Sequence, residues 1–306
     1  NTKKTRSDKR YVSLDVAYGI RARVHLTMHN YADALKDAEA ALASTSSVPY
    51  SSAAVSKPTF IDIEDASWMW GILITDKDRV STTGICNFPS HMGSLNYGYA
   101  SVGGWRRISP KLYNQIPESD VRKGWFLDDT GVSVNLPAAA QAYITKKGAP
   151  VYTQVKYGPM NDEWGSNNNA TDVILMRVEE MYLIKAEAQA MNNDVSGGVN
   201  TLNSFVNTYR DPSYKCTATT GEAVQEAVWH QRRIEFWGEG LAYFDIMRLN
   251  KAVNRLGCGF PKTAVFNIAA GDPVQIYSIP NKEVQYNPLL ENNPLVSAPT
   301  PIPDEE

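Results

Sequence analysis

Two groups of side chains have types and spacings that could do chemistry. His25 and His29 stand at i and i+4 of a segment with helical periodicity, a spacing that can turn two imidazoles toward one metal ion. A zinc peptidase also needs a Glu directly after its first His to activate water, and here that residue is Leu26. The pair therefore reads as two partly exposed helix histidines, and no metal is expected. In the stretch RRIEFWGEGLAYFDIMRLN, residues 232–250, Glu235, Glu239 and Asp245 are candidates for the two carboxyl groups that flank a sugar bond in a glycoside hydrolase, roughly 5–9 Å apart. Arg232, Arg233 and Arg248 lie among them. Arginine binds carboxylates through paired hydrogen bonds and lowers their pKa, which removes the proton-donating acid that such an enzyme requires. The block reads as structural ion pairing, and no catalytic residue is assigned.

Other signals are weaker. Asn169, Ala170 and Thr171 match a glycosylation acceptor, a pattern common by chance. DKDR at 76–79 and LDDTG at 127–131 lack the ligand spacing of a calcium loop. The sequence has no GxGxxG, Walker-type loop, GxSxG elbow or paired CxxC, so no cofactor is expected. Cys86, Cys216 and Cys258 are too scattered for a disulfide framework or a thiolate metal site.

What remains is aromatic surface: Trp68, Trp70, Tyr97, Tyr99, Trp105, Trp125 and Trp164. Flat rings stack on the apolar faces of sugars, and a nearby amide or guanidinium can hydrogen-bond the hydroxyls. Trp68 and Trp70 fall inside an apolar run and read as core. Tyr97, Tyr99, Trp105 and Trp164 stand among Gly, Asn and Ser, and are the candidate ligand-binding rings, with Arg106, Asn96 and Asn167 as polar neighbours.

The elements that must position these residues are mostly helical. VSLDVAYGIRARVHLTM and YADALKDAEAALAS carry apolar and small residues at helical spacing, with His29, Asn30 and Tyr31 at the turn, so 11–45 reads as a tetratricopeptide-like hairpin. Residues 46–171 change character: Ser, Gly, Pro and Asn recur, ASWMWGILIT suits a buried strand or one helical turn, and ISPKLYNQI a short helix. An irregular region of this length is usually functional or disordered, and its many aromatics argue against disorder. DVILMRVEEMYLIKAEAQAMN reads as one buried helix capped by Asp172, VSGGVNTLNSFVNTYRD as its returning partner, and a third helix follows at about 222–236. These make up 172–257, and 258–306 reads as an irregular C-terminal segment. The fold class is mostly α, with helical hairpins carrying a large loop-rich insertion, in one domain spanning 1–306.

Composition narrows the function classes. Thirty basic against 33 acidic residues among 306 give a net charge of −3, so no strong field points to nucleic acid or an anionic membrane. The basic run NTKKTRSDKR reads as a solvated arm and SAPTPIPDEE as a loose tail. No apolar run approaches the roughly eighteen residues that a spanning helix needs.

RRIEFWGEGLAYFDIMRLNKA, with ILMRVEEMYLIKAEAQA upstream and IYSIPNKEVQYNPLLENNP downstream, resembles the signature blocks of the SusD/RagB family of Bacteroidetes outer-membrane nutrient-binding lipoproteins. The third block carries the family's Pro-Ile-Pro-x-x-Glu ending and Asn-Pro repeats as Ile279, Pro280, Glu283, Asn287, Pro288, Asn293 and Pro294. YGIRARVHLTMHNYADALKDAEAAL and ISPKLYNQIPESDVRK are similar to further family segments, so the resemblance runs from about residue 12 to 294. Gln231 departs from the family's usual Glu and Ala242 from a common cation, which implies a thinner ion network.

The resemblance implies a surface-exposed protein of the outer membrane that binds glycans without cleaving them. Its partner would be a SusC-type TonB-dependent transporter, and its membrane contact a lipid anchor absent from this chain. It also implies that this chain is the C-terminal part of a longer protein. Three other readings compete: capture of peptides or another nutrient by the same machinery, a tetratricopeptide scaffold that binds only protein, and a glycoside hydrolase built around Glu235.

Overall fold

Small side chains let helix backbones approach closely, and they determine how the first helices pack. The computed structural model describes residues 8–78, 87–294, 296, 297 and 299. Helix α1 (Leu14–Thr27) packs on α2 (Tyr31–Ser44), with Ala22, Ala34, Ala38 and Ala41 buried between them. Helix α2 packs in turn on a later helix, Val178–Met191. The chain next forms the short helix α3 (Ser52–Val55) and strand β1 (Trp68–Ile72). Helices α4 (Phe88–Met92), α5 (Pro110–Tyr113) and α6 (Ala138–Lys146) then interrupt a largely irregular course. Strand β2 (Val173–Arg177) leads into α7 (Val178–Met191), α8 (Val195–Tyr209) and α9 (Gly221–Glu235). Helix α8 meets α7 closely: a Cβ added at Gly198 would lie 2.7 Å from the Ala186 carbonyl oxygen. The mostly α architecture expected from the sequence is the one observed.

One element differs from expectation. Residues 173–177 form β2, antiparallel to β1, and the helix starts only at Val178. Asp172 does not cap it; its carboxylate accepts from the amides of Ile63 (2.8 Å) and Ile74 (2.7 Å), tying the sheet to neighbouring loops. A short apolar run is compatible with helix or strand, and pairing with β1 decides it. The histidine pair also loses its geometry. His29 lies beyond the end of α1, at φ 59° in the turn, with its Nδ1 2.9 Å from the Tyr31 hydroxyl, so it does not share a helix face with His25.

By contact density the chain divides into two units, Asn1–Ile108 with Leu112–Gly240, and Ser109–Lys111 with Leu241–Glu306. The first contains the clusters that form its core. One gathers Tyr50, Phe60, Trp68, Trp125, Phe126 and Ile234; a second joins α1, α2 and α7; a third comprises Leu95, Leu127, Ala140, Ile144 and Val155. Trp68 is fully buried, while Trp70 is half-buried against the second cluster.

The second unit holds α10 (Ala242–Arg248), a two-stranded ribbon of β3 (Val253–Asn254) and β4 (Asn267–Ile268), and α11 (Asn281–Tyr286). The Asn-rich end is pinned back: Asn292 exchanges two hydrogen bonds with the backbone of Ile279, and the Asn293 amide donates to the Tyr277 carbonyl. The basic arm up to residue 7, Cys86 and most of the final tail lie outside the described residues.

Candidate functional site

The charged block resolves into a buried network whose partners come from distant parts of the chain. Glu235, at the end of α9, is fully buried and receives Arg122 at 3.0 Å, Arg177 at 2.6 Å and Arg210 at 2.8 Å. Glu179 pairs with Arg177 and Arg210, Asp120 with Arg122, and Glu239 with Arg177 and Lys156. Gln231 joins through its side-chain oxygen, which accepts from Arg122 at 2.5 Å, so the expected departure from Glu leaves a hydrogen bond in place. Asp245 pairs within its own helix, with Arg248 at 2.8 Å. Ion pairing is therefore present as expected, but for Glu235 the partners are not the arginines of its own stretch.

Burial alone would raise the pKa of Glu235. The guanidinium groups of Arg210 and Arg177 outweigh it and hold the carboxyl well below the usual range. Glu239 is lowered in the same way against its own burial, by Arg177 and Lys156. Burial pulls the Lys156 ammonium down to about 8, with Glu239 opposing. Such carboxylates are ionised acceptors locked among cations, the opposite of a proton-donating acid.

A pH dependence follows. A carboxyl whose folded pKa lies below its unfolded value contributes stability that is fully present above the unfolded value and is lost as pH falls through the folded one. For Glu239 the unfolded value is 4.5. We expect the stability gap between the wild type and Glu239→Gln to be widest between about pH 4.5 and 8, to close on acidification, and to narrow above about pH 8 as its partner Lys156 loses its proton. Urea denaturation at stepped pH measures it. Asp65 and Asp172, raised by burial, act in the opposite sense but are shared by both proteins and cancel in the comparison.

The candidate ligand-binding residues lie in two segments that hold each other. The Asn87 side chain caps α4 by accepting from the Ser90 amide, and it donates to the Asn169 carbonyl at 2.9 Å. The Ser90 hydroxyl accepts from the Tyr99 amide at 2.9 Å, and the Tyr97 amide donates to the Ser166 carbonyl at 2.8 Å. Asn169 returns the contact, its side chain donating to the carbonyls of Tyr97 and Asn167. Asn and Ser thus stand in for a sheet ladder, so the segment keeps a defined backbone without regular structure.

On this backbone the seven candidates separate by exposure. Tyr97 is 47% and Tyr99 42% exposed, and Asn167 is also exposed. Trp105 and Trp164 are half-buried, packed on the cluster around Leu95 and Ile144. Arg106 is half-buried too. Asn96 is buried, and its side-chain amide donates to Asn169, serving the loop's own bonding.

Two residues that the sequence reading did not single out join the group. His91 stacks on Tyr99 with ring centroids 4.6 Å apart and 22° between planes. Arg106 lies 5.6 Å from the Tyr99 centroid, and its Nε donates to the His91 carbonyl at 3.1 Å. At the end of α6, the Lys147 ammonium stands 5.3 Å from the Tyr97 ring and 5.7 Å from Tyr143. Tyr97 and Tyr99 are therefore each steadied by a cation, and Tyr99 by a stacked imidazole as well. No local spacing links His91 or Lys147 to these rings, so pattern reading had no signal to find them.

The SusD family model matches residues 122–295 of this chain. The fold is similar to that of a SusD superfamily protein from Bacteroides thetaiotaomicron, with a TM-score of 0.75 and 22% identity over 95% of this chain and 62% of that one. A putative sugar-binding protein from Bacteroides vulgatus gives a TM-score of 0.71 and 22% identity, over 94% of this chain and 60% of that one. A SusD-like carbohydrate-binding protein from the same species gives 0.64 and 24%, over 83% and 49%. At these identities the likeness speaks for the fold. The chain spans only 49–62% of the length of these three structures. No curated protein matches it in sequence.

Proposed function

This chain belongs to the SusD family, and from that premise we propose that it takes part in non-enzymatic capture of an oligosaccharide or polysaccharide at the cell surface, for delivery to a SusC-type TonB-dependent transporter of the outer membrane. The observation that carries this reading is the pair of exposed rings, Tyr97 and Tyr99, on a loop pinned by side-chain hydrogen bonds. Exposed rings held at fixed positions can stack on sugar faces without paying to become ordered. Arg106 and Asn167 stand in the same segments to reach hydroxyls, and the half-buried edges of Trp105 and Trp164 would border the ligand. The carboxylates of Glu235 and Glu239 are sequestered in ion pairs, which supports binding over hydrolysis. Among the described residues no helix is long and apolar enough to cross a membrane. A surface location would rest on a lipid anchor.

The test is affinity electrophoresis of the chain, and of a Tyr97→Ala/Tyr99→Ala variant, through native gels containing soluble polysaccharides. At about 1 kcal/mol per stacked ring, each substitution weakens binding about fivefold. We expect retardation by one glycan class, lost in the double variant while circular dichroism shows an intact fold. Retardation unchanged in the variant would move the site elsewhere, and retardation by no glycan alongside binding of a peptide library would replace the glycan reading.

A further inference from the structure

We propose a second ligand site, separate from the Tyr97–Tyr99 segment, that takes a sugar bearing a protonated amine. It is a cavity of about 480 Å³ whose lining includes Tyr113, Phe126, Tyr152 and Asn135. That volume lies within the roughly 300–1,000 Å³ of small-molecule pockets. Tyr113 meets Tyr152 with centroids 5.1 Å apart and Phe126 edge-on, so these rings make a preformed aromatic corner. Tyr152 is held at φ 65°, a conformation that bulky L residues rarely adopt. Its backbone is fixed there by bonds to Leu127 and Ile108, and it brings the ring against Tyr113.

The polar groups of the cavity share one character. Asn135 is only 6% exposed; its side-chain amide donates to the Val55 carbonyl, and its Oδ1 accepts no hydrogen bond among the described residues. The hydroxyl of Tyr113, a residue 8% exposed, likewise has no partner among them. Around these stand the carboxylates of Glu118, Asp128 and Asp129. Asp128 is committed to the turn it closes, accepting from Thr130 and Val132. Asp129 is exposed at the rim and makes no ion pair among the described residues. Burial, with the charges of Asp128, Glu118 and Asp129 added, pushes the Tyr113 hydroxyl up to about 12.

The one cation of the lining already shows what the corner favours. The Lys123 ammonium sits 5.1 Å from the Tyr113 centroid and bonds to Glu118, an ammonium held between a ring and a carboxylate. With Glu118 paired to Lys123 and Asp128 bound into its turn, Asp129 is the carboxylate of the lining left to meet a ligand, and together with the open acceptors and the aromatic corner it selects one that supplies donors, positive charge and an apolar face. A deacetylated hexosamine has all three, and an N-acetylated or acidic sugar lacks the charge or reverses it.

The probe is a glucosamine tetrasaccharide, compared with its N-acetylated counterpart, by calorimetry at a pH where the amines are protonated. We expect binding of the first, weakened by salt, and about two- to fivefold weaker in Asp129→Asn, which alters only an exposed side chain. Tyr152→Ala should also weaken it, scored only if circular dichroism shows an intact fold. Tyr97→Ala/Tyr99→Ala should leave it unchanged, which separates this site from the proposed glycan surface. Equal affinity for the acetylated probe, no effect of Asp129→Asn, loss of binding in the Tyr97/Tyr99 variant, or no binding at all would each overturn the proposal.

Discussion

Replacing Glu235 by alanine should cost about 3–5 kcal/mol, the largest single loss we expect in this protein, because it strands buried charge. Arg122, Arg177 and Arg210 converge on that carboxylate at 2.6–3.0 Å, each at most 1% exposed. Removing one partner of a buried pair leaves the other with the full cost of its desolvation. Against a total stability of about 5–15 kcal/mol, the variant should be soluble only in part, or unfold at a much lower urea concentration. Glu235→Gln keeps the shape and one acceptor oxygen but loses the charge and turns the other oxygen into an amide donor that faces an arginine, and should fall between the two. Chemical denaturation followed by circular dichroism measures all three proteins. A loss below about 1 kcal/mol in the alanine variant would mean that the three arginines find other partners on relaxation. With the expected loss of about 3–5 kcal/mol, impaired ligand binding in the alanine variant reads as loss of fold rather than loss of a catalytic group.

Trp125→Ala should be nearly as damaging, by about 3–5 kcal/mol. Trp125 lies in the loop-rich region among the aromatic candidates, yet it is fully buried, edge-on to Phe60 at 5.5 Å, with its indole NH donating to the Val55 carbonyl at 3.0 Å. The Lys156 ammonium stands 4.7 Å from its ring, so the cavity left behind would also expose a buried cation to altered solvation. Tyr97→Ala, a few tens of residues away, removes an exposed ring and should change stability by no more than about 0.5 kcal/mol. Urea denaturation of both variants separates the two roles. Comparable losses would mean that Tyr97 is part of the core and not a free binding surface.

The longer helices were legible from local pattern, whereas α6 lies inside the stretch read as loop. The alanine-rich faces of α1 and α2 and the amphipathic run of α9 appear where periodicity places them. Strand β2 was not legible, since VILMR satisfies a helix or a strand equally and only pairing with β1, about a hundred residues earlier, chooses between them. Within the candidate site, the residue types pointed to the segments around Tyr97 and Asn167. They did not separate Tyr97 from Trp164 or Asn96, because a ring or an amide among Gly and Asn looks the same in sequence whether it faces solvent or packs on Leu95.

By itself the sequence determined the mostly helical class, the loop-rich middle, the signature blocks and the structural character of the charges around Glu235. Each of these rests on residues near one another in the chain. The tertiary structure alone decided which arginines Glu235 meets, 113, 58 and 25 residues away, which tyrosines remain exposed, and that Tyr113, Asn135 and Tyr152 enclose one cavity. Exposure and charge pairing depend on which distant surfaces come together, and local periodicity carries no information about that choice.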